Sequence, residues 1–202
     1  MNDSYFTSTP PFVWIATYIS RKCLLILLMS SLYLGINTAS QGQTVWTGAT
    51  DTDWATPGNW SAGVPDADDD VFIPAAPTNR PTITATPAAL AKSVEIESEA
   101  TMTIAASGSL TINGSKTFGD YTIAFYNKGT VENSGRLILG NTASIGQVGL
   151  MNEATFHNNP GAEITIDQSA SIGLWNVTGT FTNAAKITLG ATAFIGVWGL
   201  YN

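Results

Sequence analysis

Asp66, Asp68, Asp69 and Asp70 fall within one five-residue stretch, the densest group of oxygen donors in the chain. Calcium is held by roughly six to eight oxygens from carboxylates and carbonyls, so this cluster is the candidate for a weak calcium site, and calcium is the only cofactor the sequence suggests. The spacing lacks the glycine and the distal glutamate of an EF-hand loop. A solvated acidic turn ahead of a strand at Val71 explains the same residues more simply and is the preferred reading. Trp46, Trp54 and Trp60 are the candidates for binding carbohydrate, because an indole face can support the C–H face of a pyranose ring. Large aromatic residues at the start of a fold more often fill or cover its core, and that reading is preferred for all three.

Acid–base chemistry has weaker candidates. His157 is the sole histidine and stands where equivalent segments carry Glu132 and Thr182, so it reads as an exposed strand or turn position and not as a base. Glu132, Glu153, Glu163 and Asp167 include carboxylates that could hydrolyse a glycoside as a pair, yet they form no recognisable acid and base motif. No serine nucleophile elbow, zinc-binding pair or phosphate loop is present in the sequence. The expectation is a protein without catalytic activity.

The elements that must carry these residues are set by a repeat. Asn127-Lys128-Gly129-Thr130-Val131-Glu132-Asn133 returns as Asn152-Glu153-Ala154-Thr155-Phe156-His157-Asn158 and again as Val177-Thr178-Gly179-Thr180-Phe181-Thr182-Asn183, at a spacing of 25 residues. A second block follows each copy: Gly135 to Leu139, Gly161 to Ile166 and Ala185 to Leu189. A third closes the unit at Ile145-Gly146, Ile172-Gly173 and Ile195-Gly196, before Leu150-Met151-Asn152, Leu174-Trp175-Asn176 and Leu200-Tyr201-Asn202 restart it. Apolar residues alternate within each block, which places them on one face of a short strand. Three such strands cannot bury their apolar faces alone, whereas stacked units bury them in a continuous core. The expected fold is therefore all-β, a parallel β-helix with coils of roughly 25 residues. Its recurrent asparagines are expected to tolerate turn geometry and to hydrogen-bond their stacked copies. Gly146, Gly173 and Gly196 are expected at corners with unusual backbone angles.

Two further regions precede the repeats. Arg21-Lys22 opens the apolar run Cys23 to Ile36, which has the length of a secretory h-region and falls short of the ~20 residues that span a bilayer. Small residues Thr38, Ala39, Ser40 and Gly42 then offer cleavage sites. The expected organisation is a signal peptide with an N-terminal extension over 1–42, a Trp-, Pro- and Asp-rich β cap over 43–90, and β-helical repeats over 91–202. The repeats stop at Asn202 as another unit opens, which reads as an interruption and predicts self-association through an open C-terminal coil. Cleavage would remove Cys23, the one cysteine, so packing and backbone ladders would have to hold the exported chain. A net charge of −7 disfavours nucleic acid and anionic membrane as partners, leaving the membrane a role in export or anchoring only.

Trp46-x-Gly48, Trp54, Asn59-Trp60, Gly63, Pro65 and Asp70-Val71-x-Ile73-Pro74, followed by stacked Gly-x-Leu-x-Ile units, resemble the amino-terminal part of large secreted β-helical surface proteins of Gram-negative bacteria, the adhesin-like and autotransporter-like repeat proteins. The resemblance implies a secreted or cell-surface protein with a structural or adhesive role, whose partner is a glycan, matrix or cell surface. The alternative is the non-catalytic front of a polysaccharide-degrading β-helix enzyme, since that fold also carries lyases and hydrolases.

Overall fold

Alternation of inward apolar and outward polar side chains in four-residue blocks is the local rule, and the computed structural model of the chain follows it closely. It describes residues 42–84, 87–169, 171–190 and 198–202. Their strands form three parallel sheets, each containing one strand per coil. Sheet A runs Gln43–Val45, Asp70–Ile73, Ser93–Ile96, Tyr121–Asn127, Val148–Asn152, Ile172–Asn176 and Trp198–Tyr201. Sheet B stacks Thr82–Ile83, Thr101–Ile104, Thr130–Asn133, Thr155–Asn158 and Thr180–Asn183, and sheet C stacks Ala89–Ala91, Ser109–Ile112, Arg136–Leu139, Glu163–Ile166 and Lys186–Leu189. The chain visits A, B and C in turn and returns one strand spacing higher, about 4.8 Å per coil. This is the expected parallel β-helix. The short 3-10 turn Pro57–Asn59 is the one helical element among the described residues.

Register turns the sequence repeat into columns of like residues inside the coil. Leu110, Leu137, Ile164 and Ile187 align in sheet C, as do Met102, Val131, Phe156 and Phe181 in sheet B. Leu110, Met102, Leu137, Val131, Phe156 and Ile164 are all fully buried. Each such side chain contributes about 1.5–3 kcal/mol relative to remaining in water, and the stack makes one continuous core.

From Tyr121–Asn127 onward the inward position at the A-to-B and B-to-C turns is asparagine, where the earlier coils carry Ile73, Ile96, Ile83 and Ile104. Asn127 Nδ2 donates to Asn152 Oδ1 at 2.7 Å, Asn152 to Asn176 at 2.8 Å, and Asn176 to Asn202 at 2.8 Å. A second ladder links Asn133, Asn158 and Asn183 at 2.7 Å per step. Each ladder also serves its own turns, for Asn127 Oδ1 accepts from Gly129 N and Asn133 Oδ1 from Gly135 N. Glycine follows because space is lacking: a Cβ at Gly135 would collide with the backbone oxygens of Ala105 and Gly108.

Three expectations change against the coordinates. The 43–90 segment is not a separate cap, since Gln43–Val45, Asp70–Ile73, Thr82–Ile83 and Ala89–Ala91 are strands of the three sheets. Asp53 makes a parallel bridge to Thr82, so the tryptophan stretch is itself an irregular first coil, and 41–202 forms one compact unit. Among the corner glycines, Gly146 has φ 71°, but Gly173 lies inside the strand Ile172–Asn176. Gly196 and the 1–41 part of the expected leader lie outside the described residues. One coil is longer than the rest: 31 residues separate Val94 from its partner Phe125, against 25 from Phe125 to Leu150. The extra chain forms Lys116–Phe118, which pairs antiparallel with the start of Tyr121–Asn127. Gly119, at φ 56°, supplies the left-handed first residue that such a tight hairpin needs.

Candidate functional site

The acidic cluster is engaged in a turn rather than shaped as a cage. Asp69 Oδ2 accepts from Asp66 N at 3.0 Å, Asp66 Oδ1 accepts from Asp68 N at 2.8 Å, and Asp70 faces Ser93 Oγ at 2.6 Å and Lys92 Nζ at 3.3 Å. Among the described residues, no three His, Cys, Asp or Glu side chains converge to hold a metal ion. Backbone N–H groups, Ser93 and Lys92 engage oxygens of Asp66, Asp69 and Asp70 within this turn.

The tryptophans are likewise in the wrong place for a sugar. Trp46, Trp54 and Trp60 are 0%, 2% and 6% exposed. Trp60 packs edge-to-face against Trp46 at 4.9 Å and Trp54 at 4.6 Å. Trp46 Nε1 donates to Asn79 O and Trp60 Nε1 to Trp54 O, each at 2.7 Å. Burial leaves no ring face for a pyranose, and the trio fills the N-terminal end of the core. Asn59, fully buried beside them, accepts from Thr50 N and Asp51 N and donates to Asp51 Oδ1 and Asp53 O.

That amide holds the Asp51 carboxyl below its ordinary range, helped by the Asp53 N–H, and Lys186 does the same for Glu163 through a 2.7 Å contact. A carboxyl depressed in the folded state stabilises above its unfolded value, near 4, and loses that contribution as pH falls through the folded value. The melting temperature is accordingly expected to drop on acidification from about pH 5 to pH 2.5. A thermal scan flat across that window would contradict the assignment.

The remaining sequence candidates are scattered over outer faces. His157 Nε2 lies 3.9 Å from Glu132 Oε1, the two being register partners on sheet B, with about a third of each side chain exposed. Glu163 pairs with Arg136 and Lys186 on sheet C. Asp167 is buried at the end of a sheet C strand. Glu153 lines a concave site.

That site lies on the outer face of sheet A and was not anticipated. Tyr126, Met151, Trp175 and Tyr201 occupy equivalent outward positions on successive coils. Ile123, Val148 and Met151 form an apolar cluster separate from the main core, with Phe118, Tyr126, Ile172 and Trp175 packed on it. The hairpin brings Phe118 to 5.1 Å from Tyr126 and Tyr121 to 5.2 Å from Trp175, which meets Tyr201 at 5.7 Å. Two clefts result, open to solvent and sharing Tyr121. One, of about 440 Å³, runs between the hairpin and Met151 with Asp120 and Glu153 at its rim. The other, of about 310 Å³, is bounded by Tyr121, Ile172, Trp175 and Tyr201. Tyr126 Oη donates to Glu153 Oε2 at 2.8 Å, and burial together with that carboxylate raises the phenol above its usual range, so it stays a neutral donor. The sequence did carry a signal: the excess length of one coil, since an insertion in a repeat maps to a loop on one face.

A solenoid of stacked parallel coils with an aromatic cleft built by one inserted hairpin is the class of protein that the structure defines. Within that class the chain belongs to a family described as a domain of unknown function, DUF8693, whose match covers residues 45–170, more than half of the chain. No curated protein and no solved structure matches it.

Proposed function

We propose that the chain is a secreted or cell-surface β-solenoid with a structural and adhesive role, non-catalytic, that contacts a glycan, matrix or cell partner through its lateral surface. The observation that supports this reading best is the cleft on sheet A. Large rings there lie outside the main core, and Tyr121 and Tyr201 are 40% and 46% exposed. Exposed aromatic patches on a rigid scaffold are characteristic of binding surfaces, since the rings lose little entropy on contact. The scaffold beneath has a continuous core and strands paired coil to coil. The apolar run behind Arg21-Lys22 supports export.

The test is retention of beads coated with the full chain on immobilised extracellular matrix and on whole cells. Saturable retention that free chain competes away is expected. Retention no greater than that of beads coated with an unrelated acidic protein would overturn the proposal.

A further inference from the structure

We infer that the sheet A cleft is a binding site for a neutral polysaccharide, with Trp175 and Tyr121 as its stacking platforms and Asp120 and Glu153 as acceptors for sugar hydroxyls. The inference rests on the adhesive reading and gives it a location and a ligand class.

Three observations carry it. The cleft is built by an insertion, since the hairpin that supplies Phe118, Asp120 and Tyr121 belongs to the one coil that exceeds its neighbours. Core packing does not require this hairpin, because coils without it pair strand to strand in the same parallel fashion. Next, the lining is amphipathic in the way a sugar demands. Tyr121 lines one cleft with Asp120 and Glu153 and the other with Trp175 and Tyr201, and a sugar presents C–H patches flanked by hydroxyl donors. Finally, charge selects among ligands. Asp120 and Glu153 are the acidic side chains lining the clefts. The nearby cations, Lys116 over Phe118 and Lys128 over Tyr126, are both paired with Glu95, at 3.7 and 2.7 Å. Lys116 and Lys128 share the one Glu95, so with Asp120 and Glu153 these groups carry a single net negative charge, which disfavours a polyanion and leaves a neutral chain unopposed.

Shape points the same way. Two contiguous open clefts follow the stacking direction from Met151 toward Tyr201, and outward rings recur at about one coil spacing. This suits an extended chain lying along the solenoid more than a compact molecule enclosed by it.

Affinity electrophoresis of the full chain tests the inference, with barley β-glucan, galactomannan and arabinoxylan as neutral probes and polygalacturonate as the anionic one. Retardation by at least one neutral probe is expected, with affinity falling about tenfold or more in Tyr121→Ala and in Trp175→Ala. Tyr121 is exposed on the hairpin, so its variant should melt like the parent and remains informative if Trp175→Ala is unstable. Absence of retardation by all three neutral probes, undiminished retardation in Tyr121→Ala, or tighter binding to polygalacturonate would each overturn it. Bead retention separates the two readings. If both variants still adhere as the parent does, adhesion stands and this site fails; if adhesion is lost while no polysaccharide binds, the cleft takes a partner of other chemistry. A dimer abolished by Tyr121→Ala would likewise overturn the assignment, by showing that a second copy fills the cleft.

Discussion

Trp46→Ala is expected to cost the protein about 3–5 kcal/mol, the range for removing a large buried ring, and to lower its melting temperature by roughly 10 °C or more. Three losses combine. The indole is fully buried, so its apolar area leaves a cavity that the stacked coils around it cannot collapse into. Its edge-to-face contact with Trp60 disappears, and with it the support that holds Trp60 against Trp54. Asn79 O loses the Nε1–H that it accepts at 2.7 Å, which leaves a half-buried carbonyl short of a donor. The position adds to the effect. Each coil of a solenoid is stabilised chiefly by its neighbours, so disordering the irregular first coil exposes the edge of Asp70–Ile73 to pairing with other chains. Trp175→Ala, on the outer face of sheet A, is the control, because a partly buried ring on the surface cluster leaves a notch and not a void. Denaturant unfolding of both variants should separate them by about 2 kcal/mol or more. Equal and small destabilisation would show that the tryptophan trio does not close the core.

The repeat was legible because its physics is periodic. Strand alternation, asparagine at the turns and leucine or isoleucine in the core recur at 25-residue spacing wherever the coil is regular, as at Thr130, Thr155 and Thr180. The first coil was not legible as a coil. Between Thr44 and Val71 the chain makes one turn of the solenoid through Asp53 with loops anchored by Asn59 and Trp60, and no later segment repeats those residues. A segment that satisfies its backbone through side chains leaves no periodic trace. The cleft was hidden for a different reason. Tyr126, Met151, Trp175 and Tyr201 share a structural position but not a residue type, so in the sequence they look like tolerated variation on an outer face. The register gives that column its meaning, and the hairpin beginning at Lys116 accounts for the long coil that obscures it in the sequence.

Asn127→Ala is expected to cost about 2–4 kcal/mol, far more than the ~1 kcal/mol of a typical hydrogen bond, because the asparagine is fully buried and serves three partners. Its Nδ2 donates to Asn152 Oδ1 at 2.7 Å and to Thr155 O at 2.9 Å, while its Oδ1 accepts from Gly129 N at 3.0 Å. Alanine removes the amide and leaves all three groups behind. Gly129 and Asn152 are themselves buried, so water cannot replace what is lost without opening the turn. Asn183→Ala provides the contrast: Asn183 Oδ1 accepts from Asn158 Nδ2 at 2.7 Å and from Ala185 N at 3.3 Å, but Asn183 is exposed, so solvent can reach both donors once it is gone. It is expected to cost less than about 1 kcal/mol. Hydrogen exchange adds a readout that bulk stability lacks: the Gly129 amide should lose protection in Asn127→Ala beyond what global destabilisation explains. If both substitutions cost the same, the ladders contribute through residue-level turn propensity. If only the buried one is costly, the asparagines hold successive coils in register, because each amide is positioned by the coil on which it stacks.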